Sequence, residues 1–283
     1  MANILVADSG STKTEWSVLS NNKKVQSFIT PGINPYFQDT ESIVQILKST
    51  TDSNAILQVD TLYFYGAGCA NLQKNTIVSA ALEQVFNTTN IRVGSDLLAA
   101  ARASCQNNAG IACILGTGSN SCYYDGKEII SNVAPLGYIL GDEGSGAELG
   151  KRLVGNILKN QLPNPVKQLF FDTYQLNAAE ILDAVYRQPY PNRYLAQFTK
   201  FISQNIAIPE IEELVLLGFS EFISRNILQY KDVHISAIHF TGSIAVVFKP
   251  QLIMALNKFN LLAGQITKAP MEGLLTYHIN TIN

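Results

Sequence analysis

Two turns rich in glycine and hydroxyl side chains have the composition needed to hold phosphate. Asp8-Ser9-Gly10-Ser11-Thr12-Lys13-Thr14 follows the apolar run Ile4-Leu5-Val6-Ala7, and Gly116-Thr117-Gly118-Ser119-Asn120 follows Ile111-Ala112-Cys113-Ile114-Leu115. Each reads as a strand, a tight turn and a second strand. Such turns expose backbone N–H and side-chain O–H groups with little bulk in the way, which suits an anion. Ser11, Thr12 and Lys13 are candidate contacts to the β/γ-phosphates of a nucleotide, with Thr117 and Gly118 as their counterparts in the second turn. Asp8 ends the first strand as a carboxylate able to hold magnesium through water, since that hard cation favours carboxylate and water oxygens. The plainer reading of Asp8 and Ser11 is an Asx-type turn. Because the motif occurs twice, a duplicated fold is expected, with nucleotide held between the halves.

Asp96 is the other acid in a place where chemistry is done. It follows Ile91-Arg92-Val93-Gly94-Ser95, so it stands where a short strand opens into the alanine-rich helix Asp96–Ser104. Ligands of open α/β sheets collect at such strand ends. A carboxylate there can take the proton of an attacking hydroxyl as general base. It can equally be a helix N-cap serving the amides of Leu98 or Ala99. On the residues alone the cap is the plainer reading.

The elements that must position these groups follow one plan twice. The first half reads as three meander strands (Asn3–Asp8, Thr14–Leu19, Lys24–Thr30), a helix Thr40–Ser49, a strand Leu62–Tyr65, a helix Asn75–Phe86, a strand Ile91–Gly94 and the Asp96 helix. The second half repeats it with strands Gly110–Leu115, Asn120–Tyr124 and Lys127–Val133, and Asp125-Gly126 marks a hairpin. A mostly helical stretch then runs to Tyr230, with Ser145 and Glu148 at capping-box spacing. A strand Ser236–Phe240, a helix Val247–Lys258, a strand Leu261–Ile266 and a helix Met271–Ile279 finish the chain. The expected fold is α/β, with domains at 1–107 and 108–283 and a helical insertion at about 150–230.

Bulk properties narrow the classes. The chain has 283 residues, 47% hydrophobic and 15% charged, with a net charge of −2. That balance gives no electrostatic reason for nucleic acid or an anionic membrane as partner. The amino-terminal Met1-Ala2-Asn3-Ile4 opens directly into a strand without a signal peptide's charged and apolar regions, so cytoplasmic residence is expected. Cys69, Cys105, Cys113 and Cys122 form no C-x-x-C pair, and His234, His239 and His278 lack metal-ligand spacing. Trp16 lies among apolar strand residues and reads as core. No Walker A sequence occurs, and the third glycine of a dinucleotide fingerprint is Ser121.

Asp8–Thr14, Asn34, Gly94-Ser95-Asp96, Gly116–Asn120, Gly137–Gly146 and Thr241-Gly242-Ser243, in this order, make the chain resemble the actin-like ATPase superfamily. Within it the chain is similar to the N-acetylglucosamine kinases of the BadF/BadG/BcrA/BcrD type, with Gly141-Asp142-Glu143-Gly144-Ser145 the most family-specific run. The resemblance implies two duplicated RNase H-like domains, each with a five-stranded mixed sheet. It implies transfer of the γ-phosphoryl group of ATP, with Mg2+, to the 6-hydroxyl of N-acetylglucosamine or a related amino sugar. Asp96 is then the general base, Asn34, Ser119, Leu136, Gly137 and Asp142 join it as sugar contacts, and Gly242 and Ser243 line the nucleotide. The family often has glutamate where this chain has Asp8, and can have tryptophan where it has Leu136. A homodimer, and closure of two lobes over the sugar, also follow from the resemblance. The same family includes ATPase activators of radical dehydratases with a bridging iron–sulfur cluster, and a silent sugar or nucleotide sensor is a further alternative. The ROK sugar kinases share the opening turn, but their clustered-cysteine zinc motif is missing here.

Overall fold

The computed structural model describes residues 3–10, 12–50, 59–231 and 237–282. Ser11 and His234 lie outside the described residues, as does the start of the predicted strand at Ser236. The chain divides into two compact units, 1–108 with 126–128 and 270–283, and 109–125 with 129–269.

The first unit contains β1 (Asn3–Ser9), β2 (Lys13–Ser20), β3 (Lys23–Pro31), α1 (Thr40–Thr50), β4 (Thr61–Gly66), α2 (Leu72–Phe86), β5 (Ile91–Ser95) and α3 (Asp96–Cys105). Its sheet has the order β3-β2-β1-β4-β5. β1 pairs antiparallel with β2 and parallel with β4, so the meander and the crossover strands meet on β1. Alternation on β1 serves both faces. Leu5 and Ala7 join Trp16, Phe64, Ile43 and Leu82 on the side of α1 and α2, while Ile4 and Val6 join Tyr65 and Ala99 on the side of α3. Trp16 is fully buried, stacked on Phe28 and donating its indole N–H to Thr30 at 3.0 Å. It is a core residue, as its neighbours predict.

The second unit repeats this plan with β6 (Gly110–Leu115), β7 (Ser119–Tyr124) and β8 (Ile129–Val133). Helices α4 (Gly137–Leu140), α5 (Gly146–Leu158), α6 (Asn164–Tyr174), α7 (Ala178–Tyr186), α8 (Pro191–Ala196), α9 (Thr199–Gln204) and α10 (Pro209–Arg225) follow. Then come β9 (Ile238–Thr241), α11 (Ser243–Val247), α12 (Lys249–Lys258) and β10 (Ala263–Thr267). The sheet order β10-β9-β6-β7-β8 is the first sheet's order over again, with β6 in the place of β1. Each sheet is five-stranded and mixed, the α/β architecture of two actin-like ATPase domains.

Several boundaries differ from the sequence reading for identifiable reasons. α2 starts one turn early, because Asn71 caps it by accepting from Lys74 N–H. The helix expected over 247–258 is α12, which starts at Lys249 with Pro250 in its first turn, and a short additional helix, α11, precedes it up to Val247. The final helix, α13 (Met271–Ile282), belongs to the first unit, where Met271, Leu274 and Leu275 complete the α3 face. A cut at 107/108 therefore leaves that face without its second helix. Among the described residues no helix is long and apolar enough to cross a membrane.

Candidate active site

In the first unit, the turn between β1 and β2 is closed by its backbone and by two hydroxyls. Gly10 N–H donates to Lys13 O at 3.0 Å, and beneath it the Ser9 and Thr14 hydroxyls meet at 2.7 Å. Ile33 N–H donates to Ser9 Oγ at 3.0 Å, which ties the Asn34 loop to the same turn. Thr12 and Lys13 are exposed at the tip. Burial, then the charges of Asp96 and Glu15, push the Asp8 carboxyl up to about 7 against the opposing pull of Lys13.

Asp96 follows the helix cap rather than forming it. Ser95 is the N-cap of α3, accepting from Leu98 N–H at 3.1 Å. The capping role considered for Asp96 is thus taken by its neighbour, whose extended backbone suits the position. Asp96 Oδ1 accepts from Leu97 N–H at 2.9 Å. Burial pushes its carboxyl above the ordinary range, with the Leu97 N–H bond working the other way.

Asn34 sits in a tight turn, its Oδ1 accepting from Tyr36 N–H at 3.0 Å. This is the turn role its place before Pro35 suggests, and it leaves the amide nitrogen of Asn34 for other partners. A Cβ on Gly68 would come within 2.5 Å of Asn34 Oδ1, and Gly68 has φ +83°, so only glycine fits there. The thiol of the next residue, Cys69, is pushed up to about 12 by burial and by the charge of Asp96. Gly68, Cys69 and Glu15 thus join this neighbourhood although sequence reasoning did not single them out. The Gly66-Ala67-Gly68 punctuation after β4 is the signal that marks the first two.

In the second unit, Gly118, Ser119 and Asp142 come together. Asp142 Oδ1 accepts from Ser119 N–H at 3.2 Å, and a Cβ on Gly118 would lie 3.0 Å from Asp142 Oδ2. Burial raises the Asp142 carboxyl, the Ser119 N–H bond opposes this, and Glu143 adds to the rise. The turn carrying Thr117 rests on the start of α5, since Gly146 and Ala147 N–H donate to Gly116 O and Thr117 O. Ser145 caps α5 by accepting from Glu148 N–H, but the expected capping box is only half formed. Glu148 turns instead to Arg152, which also pairs with Glu221, and Ser145 N–H goes to Asp142 O. Leu136 is the exposed N-cap and Gly137 the exposed first residue of α4, which leads to Asp142, whose N–H donates to Pro135 O. Gly242 N–H donates to Thr267 O at 2.8 Å, and Ser243 is exposed at the start of α11.

Among solved structures, a putative N-acetylglucosamine kinase from Porphyromonas gingivalis matches with 43% identity over 100% of both chains, at a TM-score of 0.92. The chain belongs to the N-acetylglucosamine kinase-like family. A second putative N-acetylglucosamine kinase, from Chromobacterium violaceum, shares the fold of this kinase-like chain at 14% identity, covering 98% of it and 99% of the other, with a TM-score of 0.75. A ROK family glucokinase from Streptomyces griseus in complex with glucose and AMPPNP shares the fold at 13% identity over 98% of the kinase-like chain and 97% of its own, with a TM-score of 0.54. No protein-family model matches the chain, and no curated protein does. All four cysteines of the kinase-like chain are buried within their units, Cys113 and Cys122 inside β6 and β7.

Proposed function

We propose that this chain is an ATP-dependent kinase that transfers the γ-phosphoryl group of ATP to the 6-hydroxyl of N-acetylglucosamine or a closely related amino sugar, acting as a cytoplasmic homodimer. The reading is carried by Asp96: a carboxylate at a strand end, its helix capped by another residue, one oxygen held by Leu97 N–H and its charge felt by Asp8. The relative at 43% identity supports the substrate class. Phosphoryl transfer is mainly positioning and charge neutralisation. In this reading Asp96 accepts the hydroxyl proton as the new O–P bond forms, and its raised basicity helps it do so. Ser11, Thr12, Lys13, Thr117 and Gly118 orient the phosphates. Gly242 and Ser243 contact the rest of the nucleotide. Asn34, Ser119, Leu136, Gly137 and Asp142 contact the sugar.

The residues fit a magnesium ion arriving with the nucleotide. Asp8 feels the charges of Asp96 and Glu15, a surplus that a divalent cation relieves. Among the described residues no three His, Cys, Asp or Glu side chains converge as a metal site, so Asp8 would hold Mg2+ in company with phosphate and water oxygens. When bound, the ion neutralises charge on the β- and γ-phosphates. The test is ADP release with MgATP across N-acetylglucosamine, N-acetylmannosamine, N-acetylmuramic acid, glucosamine and glucose. We expect N-acetylglucosamine to stimulate turnover most and its 6-deoxy analogue not at all. The proposal fails if no sugar in the panel stimulates ADP release.

A further inference from the structure

The Asp142 turn is anchored by the side chain of its next residue, Glu143, which reaches the end of α10. Glu143 is 6% exposed. Its Oε2 accepts from Asn226 Nδ2 at 3.1 Å, and its Oε1 pairs with Arg225 Nη1 at 3.0 Å. Asn226 is itself buried, directly after α10, and Arg225 is mostly exposed. One residue further, Gly144 has φ +66° and lies against α10, where a Cβ would come within 3.1 Å of the Phe219 ring and 3.3 Å of Gly218 O. The turn is therefore seated on α10 by Gly144 and hooked to its end by Glu143. Asp142 has φ +54°, a backbone setting that a non-glycine residue keeps only when its surroundings enforce it.

A buried carboxylate with a buried amide partner is costly to leave half-made. We propose that Glu143 and Asn226 are positioning residues that fix where the Asp142 carboxylate meets the sugar. The proposal rests on the reading of Asp142 as a sugar contact. Neither residue touches substrate in this scheme. They act by holding the left-handed turn that aims Asp142 at Gly118 and Ser119.

Five variants test this. Asn226→Ala and the milder Glu143→Gln should each raise KM for N-acetylglucosamine about fivefold or more, with KM for MgATP unchanged. Their effects should fall short of additive in the double variant, as expected for two residues acting through one contact. Glu221→Gln is the control, because it weakens a neighbouring ion pair of α10 with Arg152 and should leave the sugar KM alone. Hydrogen exchange gives a readout independent of turnover: the Ser145 and Gly146 amides should exchange faster in Asn226→Ala. Equal rises in both KM values would mean general structural damage and overturn the proposal. So would an unchanged sugar KM in Asn226→Ala and Glu143→Gln while Asp142→Ala raises it. An unchanged sugar KM in Asp142→Ala would instead remove the sugar-contact reading beneath the proposal.

Discussion

Asp96→Asn is expected to lower kcat by a factor of about 10² to 10⁴ while N-acetylglucosamine still binds. The substitution keeps the shape of the side chain. The asparagine carbonyl can retain the hydrogen bond from Leu97 N–H, and Ser95 continues to cap α3. What disappears is the second oxygen's ability to take a proton. A helix-capping role would predict a different outcome: Asn caps about as well as Asp, so both turnover and stability would survive. Comparing kcat with sugar affinity from equilibrium dialysis separates the two. Full turnover in Asp96→Asn would remove the general base from the scheme.

The same variant has a consequence for pH. Asp96 must be ionised to accept a proton, and burial raises its carboxyl, so the acidic limb of kcat/KM should lie above the ordinary carboxylate range, with activity rising as pH rises through it. Stability without nucleotide runs the opposite way. A carboxyl whose folded-state value lies above its unfolded one contributes stability that is present at low pH and lost as pH rises through the folded value, here about 7 for Asp8. Asparagine removes the Asp96 charge that helps raise Asp8. Asp96→Asn without nucleotide should therefore melt higher than the parent at pH 8, and the difference should shrink towards pH 4. Thermal melts at the two pH values check this, and a lower melting point for the variant at pH 8 would contradict it.

The sheets were legible because both faces of β1 are buried and its apolar run is unbroken, and because each glycine- and hydroxyl-rich turn separates strands of opposite direction. The duplicated strand order follows from reading the same punctuation twice. Other features needed tertiary information. Ser95 and Asp96 are both good capping residues, and only the backbone shows which one holds Leu98 N–H. Glu148 has the spacing for a capping box, but Arg152 on the next turn offers a charge, and a charged partner outcompetes one backbone amide. Gly68 beside Asn34, and Asn226 beside Glu143, join residues far apart in the chain that no local pattern connects. The seat of α13 on the first unit is invisible for the same reason, since its apolar face would suit either sheet.

Gly242→Ala should cost roughly 3 kcal/mol or more of stability and raise KM for MgATP. Gly242 has φ +133° and ψ 161°, a combination open essentially to glycine. A Cβ there would lie 2.1 Å from Leu115 O and 3.2 Å from Gly116 N, both backbone atoms that no rotamer change can move. The residue also cannot withdraw, because its own N–H is held by Thr267 O. The strain must pass into Leu115 and Gly116, which begin the turn bearing Thr117 and Gly118. That turn is fixed to α5 through Gly146 and Ala147, so its displacement spreads to the Asp142 loop only after Thr117 and Gly118 have moved. The expected order of effects is a melting temperature lower by roughly 10 °C, a large rise in KM for MgATP and a smaller one for the sugar. Ser243→Ala, at an exposed position beside it, should leave stability unchanged, which distinguishes backbone fit from loss of a hydroxyl. Parental melting and ATP dependence in Gly242→Ala would mean that the ends of β9 and β6 do not approach this closely, and Gly242 would lose its place beside the nucleotide.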